Sequence, residues 1–480
     1  MIHNLKPYPT YKDSGVPWLG KIPVHWNVLP NRALFDEVKE RDCADEQLLS
    51  VTISKGVIRQ SDLLTNSSKK DSSNEDKTNY KLVRPGDITY NKMRAWQGAV
   101  GVSKYRGIVS PAYVVVHPRG KQNANYFHYL LRTPDFAKEA ERWSYGITSD
   151  QWSLRPEHFK MIYCSLPPED EQFAIVRYFD HTDRRIRRYI RSKQKLIKLL
   201  EEQKQAIIHQ SVTCGLDPNV KLKPSGVEWL GDVPEHWNIT QIQALGRVVR
   251  GSSPRPAGSP VYFHGNGKPW ITVGEITKDS DIYLYSTSTR LTQEGTLHSR
   301  SIDIGTLLLT NSGATLGIPK ISCIKGCIND GVAAFLNLRS DVNKEYLYFY
   351  WARQTIHLKA WVDLGAQPNL NTQIIGGWPV LVPPIEEQNQ IVNYVKLETG
   401  LISKAIKEAE SEISLLHEYR KRLIADVVTG KLDVREEAAN LPEESQATET
   451  FEDTISEDNG LDNDEIEDDQ TGELEKEVLA

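Results

Sequence analysis

Cysteine, methionine and long apolar runs are scarce in this chain of 480 residues. Its five cysteines, at 43, 164, 214, 323 and 327, make no disulfide framework, which fits a reducing compartment. Only Cys323 and Cys327 lie close in sequence, and without a second Cys/His pair they fall short of the four ligands a closed zinc site wants. No apolar run approaches the roughly eighteen residues of a membrane span. The stretch from Met1 to Thr10 lacks the apolar region of a secretory signal. A cytoplasmic protein with no membrane partner is the expectation. Catalytic signatures are missing too. No stretch reads G-x4-G-K-[ST], so the backbone cradle of a P-loop is absent. No Asn/Asp-Pro-Pro-aromatic loop stands ready to hold a target nitrogen, and Pro134-Asp135 with Glu139 and Glu141 lacks the acid-x-Lys continuation of common nuclease sites. The expectation is a noncatalytic chain that binds no cofactor or metal itself.

What is present begins with size and charge. A chain of this length exceeds the usual domain of about 100 to 200 residues, so two or three folding units are expected. The formal charge of −6 hides a division: residues 436–480 hold eighteen Asp/Glu and one Lys, or −17, leaving +11 on the body. The acidic stretch is poor in aromatics and self-repelling, so a disordered tail is expected over 434–480, either solubilising or competing with a polyanion for the basic body. A body of +11 suits a polyanion partner without locating a site.

The chain is written twice. The segment from Ser14 to Val28 returns as Ser225 to Ile239, with ten of fifteen positions identical at an offset of 211. Pro167-Pro168-Glu169-Asp170-Glu171-Gln172 returns as Pro383-Pro384-Ile385-Glu386-Glu387-Gln388, and Thr213-Cys214-Gly215-Leu216-Asp217 as Thr429-Gly430-Lys431-Leu432-Asp433, now at an offset of 216. Between these anchors only a loose echo survives: Arg84 to Ile88 against Asp303 to Leu307, and Tyr126-Phe127 against Tyr346-Leu347. The frame is duplicated and the filling is not. His25 and His236, each beside a Trp of the repeated motif, read as parts of a packed hinge rather than catalytic bases.

Each Pro-Pro pair opens about forty residues almost free of Pro and Gly, with acidic residues at the positive end of the helix dipole, so both read as long helices. In the first, Ile186, Ile190, Lys193, Ile197, Leu200, Lys204, Ile207 and Ser211 keep heptad spacing. In the second, Ile402, Ile406, Ala409, Ile413, Leu416, Arg420, Leu423 and Val427 keep the same register. Two such seams are best buried against each other as an antiparallel coiled coil, about 60 Å long at 1.5 Å per residue. Arg184, Arg185, Arg187, Arg188, Arg191, Lys193 and Lys195 crowd the first helix as a solvated face, or as a contact for phosphates or an acidic partner; the second helix does not repeat them. The fillings mix strand-like runs (88–90, 113–116, 307–310) with helical ones (125–143, 343–362). The aromatic run Tyr346 to Trp351 reads as helix core.

The paired S-G-V-x-W-L-G-x-[IV]-P-x-H-W motif, the two P-P-x-x-[ED]-Q helix starts and the divergent fillings, over about residues 8 to 433, resemble the specificity subunit of type I restriction-modification systems. The resemblance implies an α+β fold of two pseudo-repeated target recognition domains separated by two long helices in an antiparallel coiled coil. On this frame, 1–165 is the first recognition domain with its repeat motif, 166–217 the first helix, 218–381 the second domain, 382–433 the second helix and 434–480 the tail. It implies double-stranded DNA read as a bipartite asymmetric target, with the helices setting the spacer. It also implies two methyltransferase subunits that bind S-adenosylmethionine, and restriction subunits that use ATP and Mg for translocation and cleavage. The acidic tail is a departure from the family. A self-sufficient methyltransferase or nuclease with degenerate motifs is the alternative; a pure coiled-coil scaffold gives no reason for divergent polar fillings.

Residues able to touch DNA are sought where cations and amides meet small residues, since Arg or Lys reads guanine, Asn or Gln reads adenine, and backbone at Gly approaches phosphate. In the first filling these are Lys92, Arg94 and Gln97, with Thr148, Ser149 and Gln151 in a second loop. In the second they are Arg250, Ser252, Ser253 and Arg255, then Asn311, Ser312 and Thr315, then Gln367, Asn369 and Asn371. Turn chemistry serving the backbone is the competing reading for each.

Overall fold

A computed structural model describes residues 5–64, 77–146, 152–313, 315–363 and 370–442. It is a mixed helix-and-sheet chain that divides into two compact units. Unit 1 takes residues up to Lys193 and again from Ser411, and unit 2 is the uninterrupted stretch Gln194–Glu410. Both divisions fall inside the long helices, Glu169–Cys214 and Ile385–Val428, which pack against each other. None of the described helices is long and apolar enough to cross a membrane.

The heptad positions are those that pack. Ile186, Ile190, Ile413 and Leu423 are buried in unit 1, as are Ile402 and Ala409 in unit 2. The polar seam residues pair instead of being left alone. In unit 1, Arg420 grips Asp183 through Nε–Oδ1 at 2.5 Å and Nη2–Oδ2 at 2.9 Å, and Lys193 Nζ lies 2.8 Å from Glu412 Oε2. Burial pushes the Asp183 carboxyl up, but its hydrogen bonds and charge contact with Arg420 outweigh this and hold it below the usual carboxylate range. In unit 2, Lys204 Nζ donates to Ser403 Oγ at 2.9 Å.

The repeated motif builds the same object twice. Tyr11–Asp13 pairs with Lys21–Pro23, and Leu222–Pro224 with Asp232–Pro234, as short hairpins. Ser14 and Ser225 each cap the turn, the hydroxyl accepting from Val16 N or Val227 N at 3.1 Å. The hairpins deliver Trp26 and Trp237, both fully buried. Glu171, 3 % exposed at the start of the first helix, accepts from Trp26 Nε1 at 3.0 Å and from the Tyr8 hydroxyl, and lies 2.8 Å from His25 Nε2. In unit 2, Glu387 lies 2.8 Å from His236 Nε2, and Trp237 Nε1 has no hydrogen-bond partner among the described residues. The neighbouring glutamine is used alike in both copies. Gln172 Nε2 donates to Pro167 O and its Oε1 accepts from Asn123 N; Gln388 Nε2 donates to Pro383 O and its Oε1 accepts from Asn343 N. The end of the opposite helix arrives at the same tryptophans. A Cβ on Gly430 (φ +80°) would collide with Pro23 and press on Trp26, and one on Gly215 (φ +77°) would press on Trp237 and Glu387, so glycine is required at both by shape as well as φ. The two histidines thus sit beside carboxylates at helix starts.

The fillings share more than their sequences show. Unit 1 holds a sheet ordered Phe35–Val38, Tyr113–Pro118, Ile88–Asn91, Val100–Val102. Unit 2 holds Arg247–Arg250, Val332–Leu336, Thr306–Thr310, Pro319–Ser322, with Tyr283–Leu284 added in parallel at the edge. The order is the same in chain sequence, and the central strands are apolar runs buried on both faces, Val114 to Val116 and Leu307 to Leu309. Both sequence echoes have a place here. Gly86 and Gly305, at φ +91° and +77°, turn the chain into the equivalent strands. Tyr126 OH donates to Val428 O at 3.2 Å in unit 1, and Tyr346 OH to Val212 O at 3.3 Å in unit 2, each satisfying a carbonyl near a helix C-terminus. Tyr346 to Trp351 is helix core apart from the half-buried Tyr348.

Two expectations need correction. The run 125–143 is not one helix but Ala124–Leu130 and Pro134–Arg142, because Pro134 cannot continue the first and Thr133 caps the second, its side chain accepting from Phe136 N. The acidic segment does not begin unstructured at 434: Arg435–Ala439 is helical, with Val434 and Ala438 buried in the unit 1 core and Arg435 held by Asp433 and stacked over Tyr8. Apolar spacing there wins over acidic composition. Residues 443–480 lie outside the described residues.

Glu171→Ala strands two buried donors, Tyr8 OH and Trp26 Nε1, and is expected to cost unit 1 about 3 kcal/mol, against about 1 kcal/mol for Glu387→Ala in unit 2, read by native-state hydrogen exchange. Because the Asp183 pKa is depressed on folding, its contribution is present above the unfolded-state value of about 3.9 and is lost as pH falls through the folded-state value. Asp183→Asn should therefore destabilise by about 2 kcal/mol at pH 7, with the gap to wild type narrowing in denaturant titrations below about pH 4.

Candidate nucleic-acid interface

The last residues of the third strand in each sheet order lead into a loop that is built identically in the two units. In unit 1, Lys92 N donates to Ala112 O at 3.2 Å and Lys92 O accepts from Leu154 N at 2.9 Å. In unit 2, Asn311 N donates to Gly331 O at 2.9 Å and Asn311 O accepts from Leu370 N at 2.9 Å. Lys92 and Asn311 are therefore equivalent positions carrying unlike side chains. Around each gather the turn before the central hairpin strand (110–112 and 329–331) and the chain arriving at Leu154 or Leu370.

In unit 1 the loop is stiffened by its own polar groups. Asn91 Oδ1 accepts from Met93 N, Trp96 Nε1 donates to Met93 O, and Gly98 closes the 3-10 turn Ala95–Gln97 at φ +94°. Lys92 and Arg94 are half-buried and Gln97 is exposed. Trp96 packs edge-on against Trp152, with centroids 5.6 Å apart, which ties this loop to the chain that follows the second candidate loop. Lys92 has company that sequence reading missed. Burial, then the charges of Lys92, Arg41 and Lys39, push the Lys81 ammonium down to about 8, with Glu37 opposing. Cations gathered in this way form a site whose mutual repulsion an anion would relieve. The missed signal was charge alternation in Lys39-Glu40-Arg41 at the end of an edge strand.

In unit 2 the candidate segments converge on Asp330, also missed, in the turn Asn329-Asp330-Gly331. Ser253 Oγ donates to Asp330 Oδ1 at 2.5 Å, Arg255 Nη2 lies 3.4 Å from Oδ2, and Arg250 Nε donates to Asp330 O at 2.7 Å. The Ser253 hydrogen bond, aided by Arg255 and Arg250, holds the Asp330 carboxyl low against its partial burial. A cleft beside it is lined by Ser253, Arg255, Phe263, Trp270, Asn329 and Asp330. Asn311 is 2 % exposed, and its Oδ1 and that of Asn329 have no hydrogen-bond partner among the described residues. Asn-Asp-Gly is a turn signature, and its role in organising a site is invisible until the strands place it beside Ser253 and Asn311.

The remaining candidates are placed as follows. Ser252 Oγ donates to His298 O at 3.3 Å, Ser312 is half-buried, and Thr315 O accepts from Thr310 Oγ1 at 2.5 Å. Asn371 caps the helix Thr372–Gly377, its Oδ1 accepting from Ile374 N, so that side chain serves the backbone. Thr148, Ser149, Gln151, Gln367 and Asn369 lie outside the described residues.

The profile of the type I restriction modification DNA specificity domain matches residues 234–410. The type I restriction enzyme MjaIX specificity subunit of Methanocaldococcus jannaschii is 27% identical over 187 residues, 38% of this chain and 42% of that protein. The MjaVIII specificity subunit of the same organism is 22% identical over 346 residues, 69% of this chain and 75% of that protein. A chain from a solved structure described as the basis of complex assembly and conformational transition of the type I R-M system superposes with a TM-score of 0.65 at 15% identity, covering 86% of this chain and 99% of that one, and so shares the fold. A twice-written frame and equivalent loops on equivalent sheets thus accompany a specificity-domain match over residues 234–410 and a likeness to type I restriction enzyme specificity subunits.

Proposed function

We propose that the two units read the two halves of a split, asymmetric DNA target, unit 1 through the loop carrying Lys92, Arg94 and Gln97 and unit 2 through the cluster around Asn311, Asn329 and Asp330. One observation carries this reading. Lys92 and Asn311 occupy the same backbone position in two sheets of the same order, yet one offers a cation and the other an amide. A lysine suits guanine O6/N7, whereas the buried Asn311 amide shapes the floor of the unit 2 site, so one scaffold presents two different surfaces. The crowded cations Lys39, Arg41 and Lys81 fit phosphates, which position a duplex without reading it. The chain on this reading is noncatalytic and works in the cytoplasm. Methylation belongs to two methyltransferase subunits with S-adenosylmethionine, and cleavage to restriction subunits with ATP and Mg, as its relationship to the specificity subunits suggests.

Exchange of residues 30–160 for those of another specificity subunit should change one half of the methylated sequence and keep the other, read by genome-wide mapping of methylated bases. A change in both halves, or in neither, would refute the division of labour. Purified chain given methyl donor and duplex should show no turnover until methyltransferase subunits are added. Arg94→Ala is expected to lose about 1–3 kcal/mol of discrimination at one position of the unit 1 half-site and to leave the other half untouched. A uniform loss across sequences would instead mark a phosphate contact.

A further inference from the structure

The arginines of the first long helix do two different jobs. Arg187 pairs with Asp183 at 3.1 Å, within the buried network that Arg420 completes, and Lys193 pairs with Glu412; both serve the helix pairing. Arg177, Arg185 and Arg188 are exposed, and with His181 and Arg184 they fall at helical spacing on another face. Arg184 Nε bonds back to Asp180 O, and the Asp180 carboxylate accepts from Tyr129 OH. At the equivalent positions, 216 residues on, the second helix has Asn393, Leu397, Gly400, Leu401 and Lys404. The frame is duplicated, but this arginine face is not.

The acidic segment is the other feature present once, and it leaves the described structure at this face. Arg177 Nη2 donates to Leu441 O at 2.8 Å and to Pro442 O at 3.3 Å, fixing the last described residues against the helix. Glu437 and Arg185 both bear on the Tyr178 hydroxyl, one raising and the other lowering its pKa, which puts the start of the acidic run beside the arginines. Beyond Pro442 come sixteen Asp/Glu and a single Lys over residues 443–480, a net −15. From Arg177 to Arg188 is about 17 Å along a helix, a span that five or six extended residues cover.

We propose that the face formed by Arg177, Arg185 and Arg188 is the docking surface for the chain's own acidic segment, 443–480. The match is one of charge and reach: cations unique to one helix, and an acidic chain tethered beside them at high effective concentration. The segment then covers a basic surface of unit 1 that would otherwise attract duplex phosphates without regard to sequence, and its hold weakens with salt.

The test uses the full chain. In about 20 mM salt, glutamyl endopeptidase should cut within 443–480 about tenfold faster in Arg185→Glu/Arg188→Glu than in wild type, and the two rates should meet at about 0.5 M salt, where screening removes the attraction. An unchanged unfolding midpoint confirms that the variant is folded. Equal low-salt rates in both proteins overturn the proposal, as does a variant that loses duplex affinity while its cleavage rate stays at the wild-type value. Arg188→Lys, which keeps the charge and supplies an amine, should form carbodiimide cross-links to carboxylates in 443–480; their absence would also overturn it.

Discussion

The glutamate at the start of each long helix, set against a tryptophan that the end of the other helix also reaches, is the constraint on which this architecture rests. In unit 1, Glu171 and Gly430 meet at Trp26; in unit 2, Glu387 and Gly215 meet at Trp237. A helix N-terminus carries unsatisfied donors and positive potential, and a C-terminus the reverse, so bringing the two together around one indole lets each end help to satisfy the other. The adjacent glutamine then spans the Pro-Pro backbone and the start of the next peripheral helix. This accounts for the sequence repeating these residues while so little else is kept. The copies are not equal. Tyr8 adds a third bond to Glu171, whereas Trp237 Nε1 has no partner among the described residues.

Upon that frame the chain hangs two sheets of one strand order with different loops. The equivalence of Lys92 and Asn311 rests on backbone hydrogen bonds and not on side chains, so it survives when the sequence there diverges beyond recognition. A scaffold that fixes the position of a side chain without dictating its identity allows base preference to change while the fold stays put. The polar groups nearby divide accordingly. Ser253 and Asn371 are committed to holding loops, and Lys92, Arg94 and Gln97 stand on a loop held by Asn91, Trp96 and Gly98.

Much of the frame was legible in the sequence because its constraints are local or periodic. The heptads of Ile186 and Ile402, the proline-glutamate helix starts and the repeated His-Trp motif each state their structure within a few residues. The break at Thr133-Pro134 was passed over, although Pro134 forbids the continuous helix that apolar spacing alone suggests. The candidate site was less so. Asp330 gathers Arg250, Ser253 and Arg255 from some eighty residues upstream, and burial together with Lys92 and Lys39, distant in sequence, pushes the Lys81 ammonium down. Such sites exist only once strands pair, and no spacing rule reveals them.

The division of the chain between units bears on how it is made. Unit 2 is one unbroken stretch, whereas unit 1 needs residues from Ser411 onward, including the backbone pairing of Lys6 with Asp433. During synthesis the later-emerging unit is the first to have all its residues outside the ribosome. The earlier one waits with Trp26 and its socket open until the final helix is translated, which makes the nascent first half the natural client of a chaperone.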